Sequence, residues 1–174
     1  MQLLKIYYAY FSPGNTTEKV VSHIASSFQN YPVESINLTD YATRQEDYYF
    51  KENELLIIGV PAYGGRVPAP VVDALRHFTG SNTPVVLVAT YGNRDIDDTL
   101  IELKKNVIDK GFIPVGAASF VCQHTFLKEC AEGRPDEEDL KMAGEFGDKL
   151  KERLRLLVTY DAGDLEVPGT FPYT

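Results

Sequence analysis

Two apolar runs, "ELLIIGV" (54–60) and "PVVLVAT" (84–90), constrain this chain more than any other feature. Each is too short for a well-formed helix and rich in branched residues, which marks a strand. Neither alternates apolar with polar positions, so both faces of each strand must be covered, as at the centre of a parallel sheet. Parallel neighbours need crossover connections, and the rest of the chain supplies them. Further strand-like runs stand at 3–10, 33–38 and 112–121. Between the runs, Val20, Val21, Ile24 and Phe28 recur at helical spacing, as do Val71, Val72, Leu75 and Phe78. A third stripe passes through Ile96, Leu100, Leu103 and Val107 and closes on Gly111, a C-terminal cap residue. The longest steps through Leu140, Ala143, Phe146, Leu150, Leu154 and Leu157. Residues 39–53 read only as a short helix or a loop.

This alternation predicts an α/β protein: a three-layer α/β/α sandwich on a five-stranded parallel sheet, strand order 2-1-3-4-5, with right-handed crossovers. A chain of 174 residues suits one domain, placed at 1–160, with 161–174 as a tail or linker remnant. The formal charge of −8 argues against nucleic acid or an anionic membrane as partner and suits docking on basic proteins. No apolar run nears the ~20 residues of a membrane span. Lys5 interrupts the first apolar segment, which does not read as a signal peptide. Two cysteines, Cys122 and Cys130, imply no disulfide framework, and a reducing cytoplasm is the expected setting.

In an open α/β sheet a ligand binds beyond the carboxyl ends of the strands, near the switch point of the strand order. Three loops occupy that edge. The first, "SPGNTT" (12–17), carries the hydroxyls of Ser12, Thr16 and Thr17 at a helix start, with Gly14 and Asn15 suited to left-handed backbone. It reads either as a phosphate nest or as a plain cap, with Asn15 as N-cap and Glu18 completing a capping box. It lacks the lysine of a nucleoside-triphosphate loop. The second, "GVPAYGGRVPAP" (59–70), offers Tyr63 as a flat wall and Gly64 and Gly65 for close backbone approach. The third, "ATYGNRDIDD" (89–98), again presents Thr90, Tyr91, Gly92 and Asn93, ahead of acids that suit a helix N-terminus. Together they fit a flat aromatic ligand bearing one phosphate.

The set "YFSPGNTTEKV", "VPAYGGRVPAP", "VATYGNRDIDDTLIEL", "QHTF" and "GRPDEED" resembles the flavodoxin-like domain of the anaerobe-type flavodoxin–ferredoxin fusion proteins, over nearly the whole chain. The resemblance implies non-covalent FMN. Ser12, Gly14, Asn15, Thr16 and Thr17 would hold its phosphate. Pro61, Ala62, Tyr63, Gly64, Gly65 and Arg66 would flank one side of the flavin ring; Thr90, Tyr91, Gly92 and Asn93 would flank the other. The family's S-x-T-G-x-T pattern is broken here, because Gly14 replaces a Thr and Asn15 a Gly. The lost hydroxyl would weaken phosphate binding by ~1 kcal/mol. In the fusions a segment like "VPGTFPYT" (167–174) leads on to an iron–sulfur module. That leaves two expectations open: a stand-alone protein with a vestigial tail, or a chain cut before its iron–sulfur half.

The expected function is FMN-dependent electron transfer with redox partner proteins, such as a ferredoxin module or a reductase, with no catalytic side chain assigned. An FMN-dependent NAD(P)H:quinone or flavin reductase is the alternative, and a scaffold that has lost the flavin is a third. The spacing C-x-H-x5-C at Cys122, His124 and Cys130 lacks a fourth ligand, so no metal is expected. His124 is expected at the ligand edge.

Overall fold

The structure, a computed structural model, describes residues 2–92, 94–124, 126–127, 129–157 and 165–174. Its elements are β1 (Lys5–Tyr10), α1 (Thr16–Ala25), β2 (Val33–Asn37), α2 (Tyr41–Arg44), β3 (Tyr48–Tyr49), β4 (Glu54–Pro61), α3 (Ala69–Leu75), β5 (Phe78–Thr79), β6 (Thr83–Tyr91), α4 (Thr99–Asp109), β7 (Phe112–Val121) and α5 (Glu137–Leu156). A 3-10 turn, Ser26–Phe28, extends α1.

Five parallel strands form the main sheet in the order β2-β1-β4-β6-β7. The expected numbering 2-1-3-4-5 does not carry over unchanged, because β3 and β5 fall between its members in the chain. These two-residue strands pair in a small separate sheet, and strands so short leave no periodic signal. They sit in an aromatic cluster, where Phe50 lies 5.4 Å from both Phe78 and Phe112. Within the segment expected as a short helix or loop, Asp40 caps α2 by accepting the Thr43 N–H.

The two central strands show why their runs are continuously apolar. On β4, Leu55 and Ile57 face one core while Leu56, Ile58 and Val60 face the other; on β6, Val86 and Val88 oppose Val85, Leu87 and Ala89. Val20, Val21 and Ile24 of α1, with Ala143, Leu150 and Leu154 of α5, close the first core. Val71, Ala74 and Leu75 of α3, with Leu100, Leu103 and Val107 of α4, close the second. The period of two in the strands and of 3.6 in the helices thus yields three layers. A bulge at Val85 and Val86 skips Val115, beside Pro114, which has no N–H for the ladder and sits on the edge strand β7. Ile96 precedes α4 rather than opening it, yet is buried in the same core.

Candidate functional site

Bonds just past the strand ends gather the loops. Phe11 N–H donates to Gly59 O (3.2 Å), Ala62 N–H to Thr90 O (2.7 Å) and Cys122 N–H to Tyr91 O (2.8 Å). Because β1 and β4 are neighbours although β2 lies between them in the chain, the carboxyl edge splits there into a cleft. It holds about 690 Å³ of open space. Ser12, Pro13, Gly14, Thr16 and Thr17 line it from the first loop, Pro61 to Gly64 from the second, and Thr90 to Gly92 from the third. A fourth segment, following β7, adds Cys122, Gln123, His124 and Phe126.

The first loop is not the capping box that Asn15 and Glu18 suggest. Asn15 has φ 64° and makes no side-chain cap bond, since an N-cap side chain reaches the helix only from extended backbone. Ser12 takes that role from further back, its Oγ accepting the Glu18 N–H at 3.0 Å. The Ser12 hydroxyl proton remains available to a ligand, because that bond uses only an oxygen lone pair. The Ser12 N–H is held by Thr39 Oγ1 at 2.8 Å, tying the loop to the segment after β2. Thr17 and Thr90, both buried, share one hydrogen bond of 2.8 Å between their hydroxyls. Two hydroxyls and one bond leave one proton to donate outward. Gly59 lets α1 seat this closely on β4: a Cβ there would run into Cγ2 of Val21 and lie 3.1 Å from Cγ2 of Thr17.

In the second loop Tyr63 and Arg66 exchange backbone bonds of 3.0 and 3.1 Å, with Gly64 at φ 58° and Gly65 at φ 75° between them. Positive φ at both central positions is what a tight two-residue hairpin needs, which explains the Gly–Gly pair. Tyr63 stands between Phe11 (6.2 Å) and Phe126 (6.1 Å). Gly65 is buried and outside the lining, its carbonyl accepting the Asp98 N–H at 2.9 Å. Arg66 also lies off the lining, forked onto the buried Glu102, whose Oε1 takes the Val67 N–H as well, at 2.7 Å. Asn15 is exposed beside the lining, and Asn93 lies outside the described residues.

His124 sits at the ligand edge, as its position after the last strand suggests. Its ring lies 6.1 Å from that of Phe126, which is 76% exposed at the rim. Burial pushes the Cys122 thiol up to about 12, partly opposed by a hydrogen bond with Thr16. Cys130 donates its thiol to Gly92 O. Among the described residues no three His, Cys, Asp or Glu side chains converge to hold a metal.

Nor does any Lys, Arg, Asp or Glu line the cleft among the described residues. An anion there would meet hydroxyls and the first-turn N–H groups of α1, which carry the positive end of the helix dipole. Beside that polar corner, Pro61, Ala62, Tyr63, Tyr91 and Phe126 make an apolar slot. A phosphate joined to a planar ring system suits both parts.

This arrangement defines an open-sheet α/β protein with a cleft at the topological switch point. No protein-family model matches the sequence, and no curated protein matches it. Solved structures do: a flavodoxin from the domain Archaea at TM-score 0.60 and 13% identity, covering 87% of this chain and 99% of that one. The Megasphaera elsdenii flavodoxin in its two-electron reduced form gives 0.53 and 19%, covering 83% and 98%. A flavodiiron core from Synechocystis gives 0.58 and 18%, covering 88% of this chain and 36% of that one. At these identities the likeness is one of fold: the chain has a flavodoxin-like fold. No described helix is long and apolar enough to cross a membrane.

Proposed function

We propose that this protein binds FMN without a covalent link and serves as an electron carrier between redox partner proteins. The observation that carries the reading is the cleft itself, where a hydroxyl-rich helix start, with no charged side chain among the described lining residues, adjoins an aromatic-walled slot. Ser12, Gly14, Thr16 and Thr17 would hold the phosphate. Pro61 to Gly64 on one side, with Thr90 to Gly92 on the other, would hold the ring; Asn15, Gly65 and Arg66 would support these loops from outside the lining. Asn93 belongs to the same proposed site. The bound flavin would supply one- and two-electron redox chemistry.

The chain's own part is to bind, orient and exclude water. Backbone N–H groups and hydroxyls replace the water around a phosphate without a cation, so the site adds no positive charge near the ring. In a chain of charge −8 this disfavours additional negative charge in the cleft and lowers the potential at which it is gained. The exposed Phe126 and Leu127 give partners an apolar contact at the cleft's rim. A cytoplasmic location and a ferredoxin module or a reductase as partner belong to the same proposal. The flavodoxins among the neighbours do not favour the NAD(P)H-dependent alternative. The test is a titration of the flavin-free protein with FMN, followed by stepwise reduction with dithionite. Flavin fluorescence should be quenched at a 1:1 ratio; a protein that stays colourless in millimolar FMN removes the proposal.

A further inference from the structure

The last described segment, residues 165–174, is fastened to the molecule beside the cleft. Asp98 is buried at the entrance to α4, and its carboxylate accepts four hydrogen bonds from the segment. The Thr170 N–H reaches Oδ1 at 2.9 Å and its hydroxyl at 3.5 Å; the Thr174 N–H reaches Oδ2 at 2.8 Å and its hydroxyl at 3.1 Å. Between these anchors Phe171 covers the ammonium of Lys105 at 3.6 Å, and ahead of them Val167 packs against the core. The Tyr173 ring lies over the Arg66 guanidinium at 4.1 Å.

Both anchor points lead to one turn. Asp98 donates its N–H to Gly65 O, and Glu102, one turn further along α4, holds the Arg66 side chain and the Val67 N–H. Gly64 and Gly65 are the residues whose backbone most needs outside support, because glycine loses the most freedom when ordered. We propose that residues 165–174 act as a strap that holds the Tyr63–Arg66 turn in its cleft-lining shape through Asp98 and Arg66. The strap rests on the FMN reading only for its consequence, which is tighter cofactor binding. Arg66 is here a positioning residue, stacked between Tyr173 and Glu102.

The experiment compares three flavin-free proteins by native-state hydrogen exchange: the full chain, Asp98→Ala, and a chain ending at Val167. The shortened chain keeps every residue of α4 and the turn, so it decides the matter if Asp98→Ala does not fold. Release of the strap should speed exchange of the Arg66 and Val67 amides about tenfold or more, the loss of one or two hydrogen bonds' support. Wild-type exchange at Arg66 and Val67 in the shortened chain overturns the strap. FMN titration of the same proteins should show about tenfold weaker binding. Unchanged FMN affinity with a loosened turn keeps the strap but takes the turn out of the cofactor site. A full chain that binds no FMN removes the proposed function, while the exchange result still decides the strap.

Discussion

Thr17 shows how a single hydroxyl serves two ends. Its spacing from Ser12 marks a helix start and an anion loop, but its partner, Thr90, is 73 residues away on β6. The pair is buried, so removing one hydroxyl leaves the other without its partner. We expect Thr17→Val to lower folding stability by about 1–3 kcal/mol, read from urea midpoints, and to weaken FMN in the same variant. Loss of FMN affinity with an unchanged midpoint would show that the pair does not support the fold. Ser12 is legible in the same way only in part. Its hydroxyl was readable as a phosphate donor, whereas its acceptance of the Glu18 N–H depends on the left-handed Asn15 between them. Glu102 carried no sequence signal, being one of two acids, with Asp109, on an amphipathic helix.

At the scale of elements, α5 shows the clearest local encoding. Asp136 and Asp139 form a capping box, each side chain taking the other's backbone N–H at 2.9 Å. Asp139 also receives the Arg134 guanidinium through both carboxylate oxygens, at 2.8 and 2.6 Å. That bidentate pair, with help from the Asp136 N–H and against the effect of burial, holds the Asp139 carboxyl below its ordinary value. A depressed carboxyl stabilises the fold fully above the unfolded pKa of about 3.9 and loses that contribution as pH falls through the lower folded value. Asp139→Asn should therefore cost about 2 kcal/mol at pH 7, the Arg134 side being partly exposed, and progressively less below about pH 4. Urea midpoints of both proteins between pH 2.5 and 7 measure this; a gap that stays constant through the acid range would sink the assignment. The long helices were legible because each repeats its period several times, and the central strands because burial on both faces leaves an unbroken apolar run. β3 and β5, two residues each, were not, and neither was the start of α4 after Asp98, where an apolar Ile96 precedes the helix without joining it.

For the whole molecule, ligand binding and stability are linked. A ligand that binds only the folded chain stabilises it by about 2.7 kcal/mol at a hundred times its dissociation constant. For a domain of this length that is a rise in Tm of about 5–10 °C. Differential scanning calorimetry with FMN at that excess should show it, and riboflavin, which lacks the phosphate, should give a markedly smaller rise. Equal shifts from both would mean that the Ser12–Thr17 loop holds no phosphate.

The layered parallel sheet and the edge at which the loops meet are written in the local pattern of the chain. Burial on both faces forces unbroken apolar strands, and helices with a periodic apolar face must cover them; both demands show in short stretches of sequence. Which distant polar groups meet follows only from the assembled fold. Thr17 with Thr90, and Asp98 with Thr170 and Thr174, are not encoded by any period. They exist because the assembled fold brings distant residues within hydrogen-bond reach, where each buried polar atom must find a partner.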